Sequence, residues 1–189
     1  NWAAIAVPTG SDITEVADLA GRTVAATKGT DPYFFLLQAL AEAGLALEDI
    51  SLQNLQHADG KTALETGAVD AWSGLDPLLA TSVYNGAAEI IYDNVDFNSY
   101  GFLNATEEFI TSNPDLAQLV VNAYEKARQW ALENPEETAA ILAEVAGIDL
   151  AIAEATIART VIDISNVPGD AQRDVLAIIG PIFVESGDV

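Results

Sequence analysis

Two short stretches carry residue types that can do chemistry. The first, Lys28-Gly29-Thr30-Asp31-Pro32, joins a β-type run to a helical one. A helix that starts there presents unpaired N–H groups and the positive end of its dipole, which suits a small anion. Thr30 or Asp31 can instead cap that turn, and Pro32 fits the first helical position because its missing N–H has no partner there. Asp31 also puts a negative charge where an anion would sit, so a ligand cradle and a plain structural cap both remain open. The second stretch is VDAWSGLDP, residues 69–77. A strand end supplies Trp72 and Ser73, Gly74 opens the backbone, and Asp76-Pro77 starts another helix. An aromatic wall and a carboxylate then meet at the C-terminal edge of a sheet, where open α/β sheets bind ligands. The alternative is that Trp72 is core and Asp76 a helix cap.

Little else in the chain is built for catalysis. His57 is the only histidine and there is no cysteine, so Ser-His-Asp catalysis, multi-histidine metal sites and thiol chemistry lack material. A lone histidine before a helical stretch reads as a surface or capping residue. Glycine-rich phosphate loops are absent. No catalysis, cofactor or metal is expected.

The elements that must position these residues follow from apolar spacing and turn residues. AAIAV at 3–7 is a short buried strand, ended by Pro8-Thr9-Gly10-Ser11. A brief helix around Val16 and Leu19 stops at Gly21, and Thr23 to Thr27 form a second strand that feeds the helix at Pro32. That helix carries Phe34, Leu37, Leu40 and Ala41 on one side and ends at Gly44. Further strands are predicted at 50–55 and 69–73, with a helix between them at 58–65. Strands alternating with helices imply βαβ units, hence an α/β fold with a mostly parallel sheet and helices on both faces. After Asp76-Pro77 a helix runs to about Tyr84, an edge strand spans 89–92 and another strand 100–105. The strands at 3–7 and 100–105 bracket the α/β region and can act as a hinge, or can simply pair at a sheet edge.

From there the texture changes, so the chain divides into an α/β lobe at 1–105 and a helical region at 106–189. Leu116, Leu119, Val120, Ala123, Tyr124, Ala127 and Trp130 recur at the 3, 4 spacing of one buried helix face. Asn134-Pro135 separates that helix from the next, Asp149 starts another, and the last, after Pro168-Gly169-Asp170, contains Gly180-Pro181, where a kink is expected.

Composition sets the outer limits. A chain of 189 residues with 50% hydrophobic content can bury a real core. No apolar run reaches the roughly 20 residues of a membrane span. Lys plus Arg number 7 against 29 Asp plus Glu, a net charge of -22, which repels nucleic acid and anionic membranes alike. The absence of cysteine fits an exported protein.

Taken together, I-x-V-P-x-G-S-x-I-x-x-V-A-D-L-x-G-x-x-V-A at 5–25, KGT before an aromatic-rich helix, and GAVDAWSGLDP at 67–77 resemble the ABC-transporter substrate-binding proteins of the aliphatic sulfonate, taurine and nitrate type. NPDLAQLVVNAYEKARQWALENPEETAAILAE at 113–144 also looks like that family's C-terminal helices. The resemblance implies a type II periplasmic-binding-protein lobe and a small ligand held in an interlobe cleft without catalysis. It also implies a membrane permease as partner, and a periplasmic or extracellular location with a lipid tether as one form. Carried over from the family pattern are Gly29, Thr30 and Tyr33 at the helix start and Trp72, Ser73 and Asp76 on the opposite wall, with Asp31 beside them. Two departures bear on this. The chain begins at what looks like the first hinge strand, which implies that the first part of lobe 1 is absent, so the apolar faces of the C-terminal helices must fold back, pack differently or meet another chain; self-association through them is expected. Asp31 stands where sulfonate binders tend to carry a neutral residue, which favours a zwitterion or a neutral heteroaromatic molecule over a plain anion. An enzyme on the same fold, as in thiamine-pyrimidine precursor synthesis, and a regulator's effector-binding domain are the alternatives.

Overall fold

The computed structural model describes residues 2–186. Its centre is a five-stranded sheet of order β3-β2-β4-β1-β5, built from β1 (Ala3–Pro8), β2 (Thr23–Ala26), β3 (Ser51–Asn54), β4 (Ala71–Leu75) and β5 (Ala88–Tyr92). β2 runs parallel to β3 and β4, whereas β1 is antiparallel to both β4 and β5. Four strands thus share one direction and β1 opposes them. The sheet is mixed, with a parallel majority.

Period-2 alternation sends the strands' side chains to two separate cores. Ala3, Ile5, Val7, Val24, Ala26 and Ala71 face one side, where α1 (Asp31–Glu42) lays down Phe34, Phe35, Leu36, Ala39 and Leu40. Ala4, Ala6, Ala25 and Trp72 face the other, covered by Leu64 of α2 (His57–Glu65) and Leu79 of α3 (Leu78–Tyr84). Alanines on the inner strands let helices approach closely on both faces, which is the expected α/β layering.

The helical region consists of α4 (Glu107–Ser112), α5 (Pro114–Glu133), α6 (Pro135–Ala146), α7 (Leu150–Arg159) and α8 (Asp170–Ser186). Part of it returns to the lobe. α8 places buried Ile179 in the α1 core and sets Phe183 edge-on to Phe34 with ring centroids 4.6 Å apart. α7 packs against α6 and α3, and α8 is continuous through Pro181.

Three expectations are corrected. Residues 100–105 form no strand. The two edges of β1 are already taken by β4 and β5, so a chain passing beside Trp2 finds no free row of hydrogen-bonding groups on that strand. The strand expected at 69–73 lies at Ala71–Leu75, because Asp70 is occupied in bonding the Thr23 backbone. The apolar stripe of α5 is not a buried face: none of the helix's residues is buried, and Leu119 is 63% and Tyr124 62% exposed.

Candidate functional site

Because β2 and β4 are parallel, the turns that follow them emerge at the same rim of the sheet, and β1, running the other way, starts there. The three meet around a cavity of about 390 Å³ lined by Trp2, Thr30, Asp31, Pro32, Leu75 and Asp76. Of the residues singled out in the sequence, the structure brings Thr30, Asp31 and Asp76 together here.

Gly29, with φ of 74°, turns the chain from β2 into α1 through a left-handed conformation that a side chain would strain. Thr30 then takes the cap position, but its hydroxyl donates back to the Thr27 carbonyl at 2.6 Å and makes no capping bond to its own helix. Asp31 does not claim the helix's donors either, since its Oδ2 accepts from the Trp2 indole Nε1 at 2.9 Å. The first turn of α1 thus carries no side-chain cap at Thr30; its Tyr33 and Phe34 N–H groups donate to the Thr30 carbonyl, Pro32 has none to offer, and Asp31 sets a carboxylate beside the positive end of the dipole.

Asp76 is the most constrained member. Its Oδ1 accepts the Ala80 N–H at 2.9 Å, so it does cap α3, and its own N–H donates to the Trp2 carbonyl at 2.9 Å. Its Oδ2 lies 3.4 Å from Arg159 Nε, and Arg159 Nη2 lies 3.6 Å from Asp93. Neither Asp76 Oδ2 nor those two Arg159 nitrogens has a hydrogen-bond partner of good geometry among the described residues. Burial raises the Asp76 carboxyl above its ordinary pKa, outweighing the opposing pull of Arg159 and of the Ala80 N–H. One arginine thus faces two carboxylates at this edge of the cavity.

The other sequence candidates lie elsewhere. Trp72, 1% exposed, sits on the far face of the sheet, and a Cβ at Gly60 or Gly74 would come within 2.8 or 2.4 Å of its indole. It is core and not a cleft wall, because an inward position on a central β4 is covered by α2. Ser73 is fully buried and donates its hydroxyl to the Pro32 carbonyl at 2.6 Å, tying β4 to the start of α1. Tyr33, 3% exposed, belongs to the α1 core. His57 places Nδ1 3.2 Å from Thr27 Oγ1, whose proton goes to the Leu55 carbonyl, and burial lowers the imidazole's pKa. Sequence reading missed Trp2, which stands just ahead of the strand read at 3–7; the signal was the reversed direction of β1, which puts the start of that strand at the rim where β2 and β4 end. Arg159 had no local signal at all, since it reaches Asp76 from α7.

The family model described as NMT1/THI5 like matches residues 1–138. The chain belongs to this family. A relative in Escherichia coli (strain K12), named as an aliphatic sulfonates-binding protein, is 34% identical over 145 residues, covering 76% of this chain and 46% of its own length. Among solved structures, the periplasmic aliphatic sulphonate binding protein SsuA from Escherichia coli matches 100% of this chain and 61% of its own at 28% identity and TM-score 0.87. The alkanesulfonate-binding protein SsuA from Xanthomonas axonopodis pv. citri, bound to MOPS, matches 97% of this chain and 64% of its own at 27% identity and TM-score 0.83. The desulfurization enzyme DSZB, at 17% identity and TM-score 0.69, shares the fold alone. The chain spans about half the length of the curated relatives it matches.

Proposed function

We propose that this chain contributes the solute-binding wall of an ABC importer's substrate-binding component, taking a small polar molecule of the sulfonate, taurine, nitrate or heteroaromatic kind into the rim cavity without turnover. The observation that carries this reading is the cavity itself: an uncapped helix start at Gly29-Thr30 opposite a buried carboxylate, in a member of a family whose named relatives bind sulfonates. An anionic head faces the first turn of α1, and Asp31 and Asp76 receive the remainder of the molecule. A membrane permease is the partner that this role requires, and the periplasm or the outer cell surface is its place, with or without a lipid tether. The cavity's side chains argue for binding over chemistry. Thr30 is committed to Thr27, and no nucleophile and base among the lining residues stand in hydrogen-bonding contact.

The exposed stripe on α5 is, in the same reading, an association surface. Leu116, Leu119, Tyr124 and Trp130 form an apolar face that the described chain leaves in water, and a second copy covering it gives self-association. Charge repulsion opposes that step, so association strengthens with salt; sedimentation at low and high ionic strength reads it, and a monomer at every concentration and salt removes it.

Binding is tested by thermal melting and calorimetry with a panel of alkanesulfonates, taurine and nitrate, alongside product analysis of each incubation. Stabilisation that grows with solute concentration, with the solute recovered intact, is the expected result. Conversion of any solute to a new product overturns the assignment.

A further inference from the structure

The aromatic ring that borders the cavity is Trp2, and it is fixed from several sides. Its indole N–H donates to Asp31 Oδ2 at 2.9 Å, its carbonyl accepts from the Asp76 N–H at 2.9 Å, and the following Ala3 N–H donates to the buried Asn98 side chain at 3.0 Å. Beyond it runs Gly101, where an added Cβ would already meet Trp2 Cη2 at 3.7 Å. Trp2 also lines a second cavity of about 180 Å³ with Val95, Tyr100, Val161, Ile164 and Val175. Trp2 therefore lines both cavities and is held there by bonds to Asp31 and Asp76.

Its one polar atom is spent on Asp31, so what it offers a solute is apolar ring surface, continued by Pro32 and Leu75. Such a wall rewards a ring-sized group that stacks on it and gives little to a two-carbon chain. The cavity volume falls in the range of roughly 300–1,000 Å³ typical of small-molecule sites, ample for a ring beside an anionic head. We propose that Trp2 is the specificity-determining wall of the solute site, positioned by Asp31, and that the solute it selects carries a ring stacked on the indole next to its anionic end. This rests on the solute-binding reading above.

The test compares benzenesulfonate with ethanesulfonate on the 189-residue chain by calorimetry and tryptophan fluorescence. Benzenesulfonate is expected to bind at least about tenfold more tightly and to change the emission. Trp2→Leu brings the two affinities within about twofold of each other, the loss falling mainly on benzenesulfonate. Asp31→Asn, which keeps an acceptor for the indole, preserves the ring preference, and Asp31→Leu loses it; circular dichroism confirms that each variant is folded. Equal affinity of the wild-type chain for the two probes, or a ring preference that survives in folded Trp2→Leu, overturns this inference and leaves solute binding standing. Should Trp2→Leu not fold, the wild-type affinity ratio decides. Binding of neither probe overturns both readings together.

Discussion

α1 and α5 carry similar apolar periodicity and meet opposite fates. α1 buries Pro32, Tyr33, Phe34, Phe35, Leu36, Ala39 and Leu40 against the sheet and α8, whereas the longer α5 buries nothing. Both are amphipathic because leucines and aromatics recur at helical spacing, and for both the sequence says which face is apolar. Only the fold says what covers it. The difference separates a region whose apolar face is covered within this chain from one whose apolar face stays exposed among the described residues.

The largest effects that can break this comparison come from deleting matched side chains. Phe35→Ala, in the fully buried core, is expected to cost about 3–5 kcal/mol, while Leu119→Ala on α5 stays within about 0.5 kcal/mol in the monomer. Urea denaturation of the two variants measures both, and comparable losses would show that α5 is packed after all. Gly74→Ala comes next. The new Cβ would fall 2.4 Å from the Trp72 ring, and overpacking of that kind costs about 1–3 kcal/mol; a wild-type unfolding midpoint would mean that Trp72 has room to move and is not locked in the core. Ser73→Ala removes a buried donor from the Pro32 carbonyl and is expected to cost about 1–2 kcal/mol by the same assay. A neutral result would free Ser73 for the ligand role its place in the sequence suggested.

The smallest effects sharpen the contrast through pH. In α5, Arg128 and Gln129 hold the Glu125 carboxyl down to about 2 from its ordinary 4.5. A depressed acid stabilises the fold above its unfolded value, and that contribution fades as pH falls from about 4.5 toward about 2. Burial raises Asp76 from its ordinary 3.8, so its contribution has the other sign: it favours folding below that value and is lost as pH rises through the raised one. Acidification should therefore narrow the stability difference between wild type and Glu125→Gln, and should move wild type upward relative to Asp76→Asn. Thermal melts of the three proteins from neutral pH down to acid check both trends, and parallel curves for all three would refute the two assignments.

How much of this was legible in the sequence depends on whether the deciding contact was local. The α1 start could be read because Gly29, Thr30 and Pro32 are each a local signal, and β2, β3 and β4 followed from apolar runs between turn residues. The shared rim of the 28–33 and 72–77 segments followed too, since parallel strands place their C-terminal turns on one edge. The side chains at that rim were less legible. Whether Trp72 or Ser73 faces a cleft or a helix depends on which face α2 covers, and whether Asp31 caps α1 depends on Trp2, 29 residues earlier. Asp76 was readable as a cap, but its pairing with Arg159 comes from the return of α7, which no local pattern announces. The strand expected at 100–105 failed for the same kind of reason: a run of apolar residues becomes a strand only where the fold lays it along an open strand edge, and the strand beside Trp2 is paired on both sides.

The central claim is that a small polar solute of the sulfonate kind enters the rim cavity beside Trp2, Thr30, Asp31 and Asp76. The chain has three tryptophans, so a nitrogen–proton NMR titration with MOPS observes three indole N–H signals, one bordering the cavity, one in the core and one on α5. The account predicts that the Trp2 indole and the backbone amides of Thr30, Asp31 and Asp76 shift and saturate together while the Trp72 and Trp130 indoles hold still. Saturating shifts confined to Trp130 and α5, or none anywhere at millimolar solute, would contradict it.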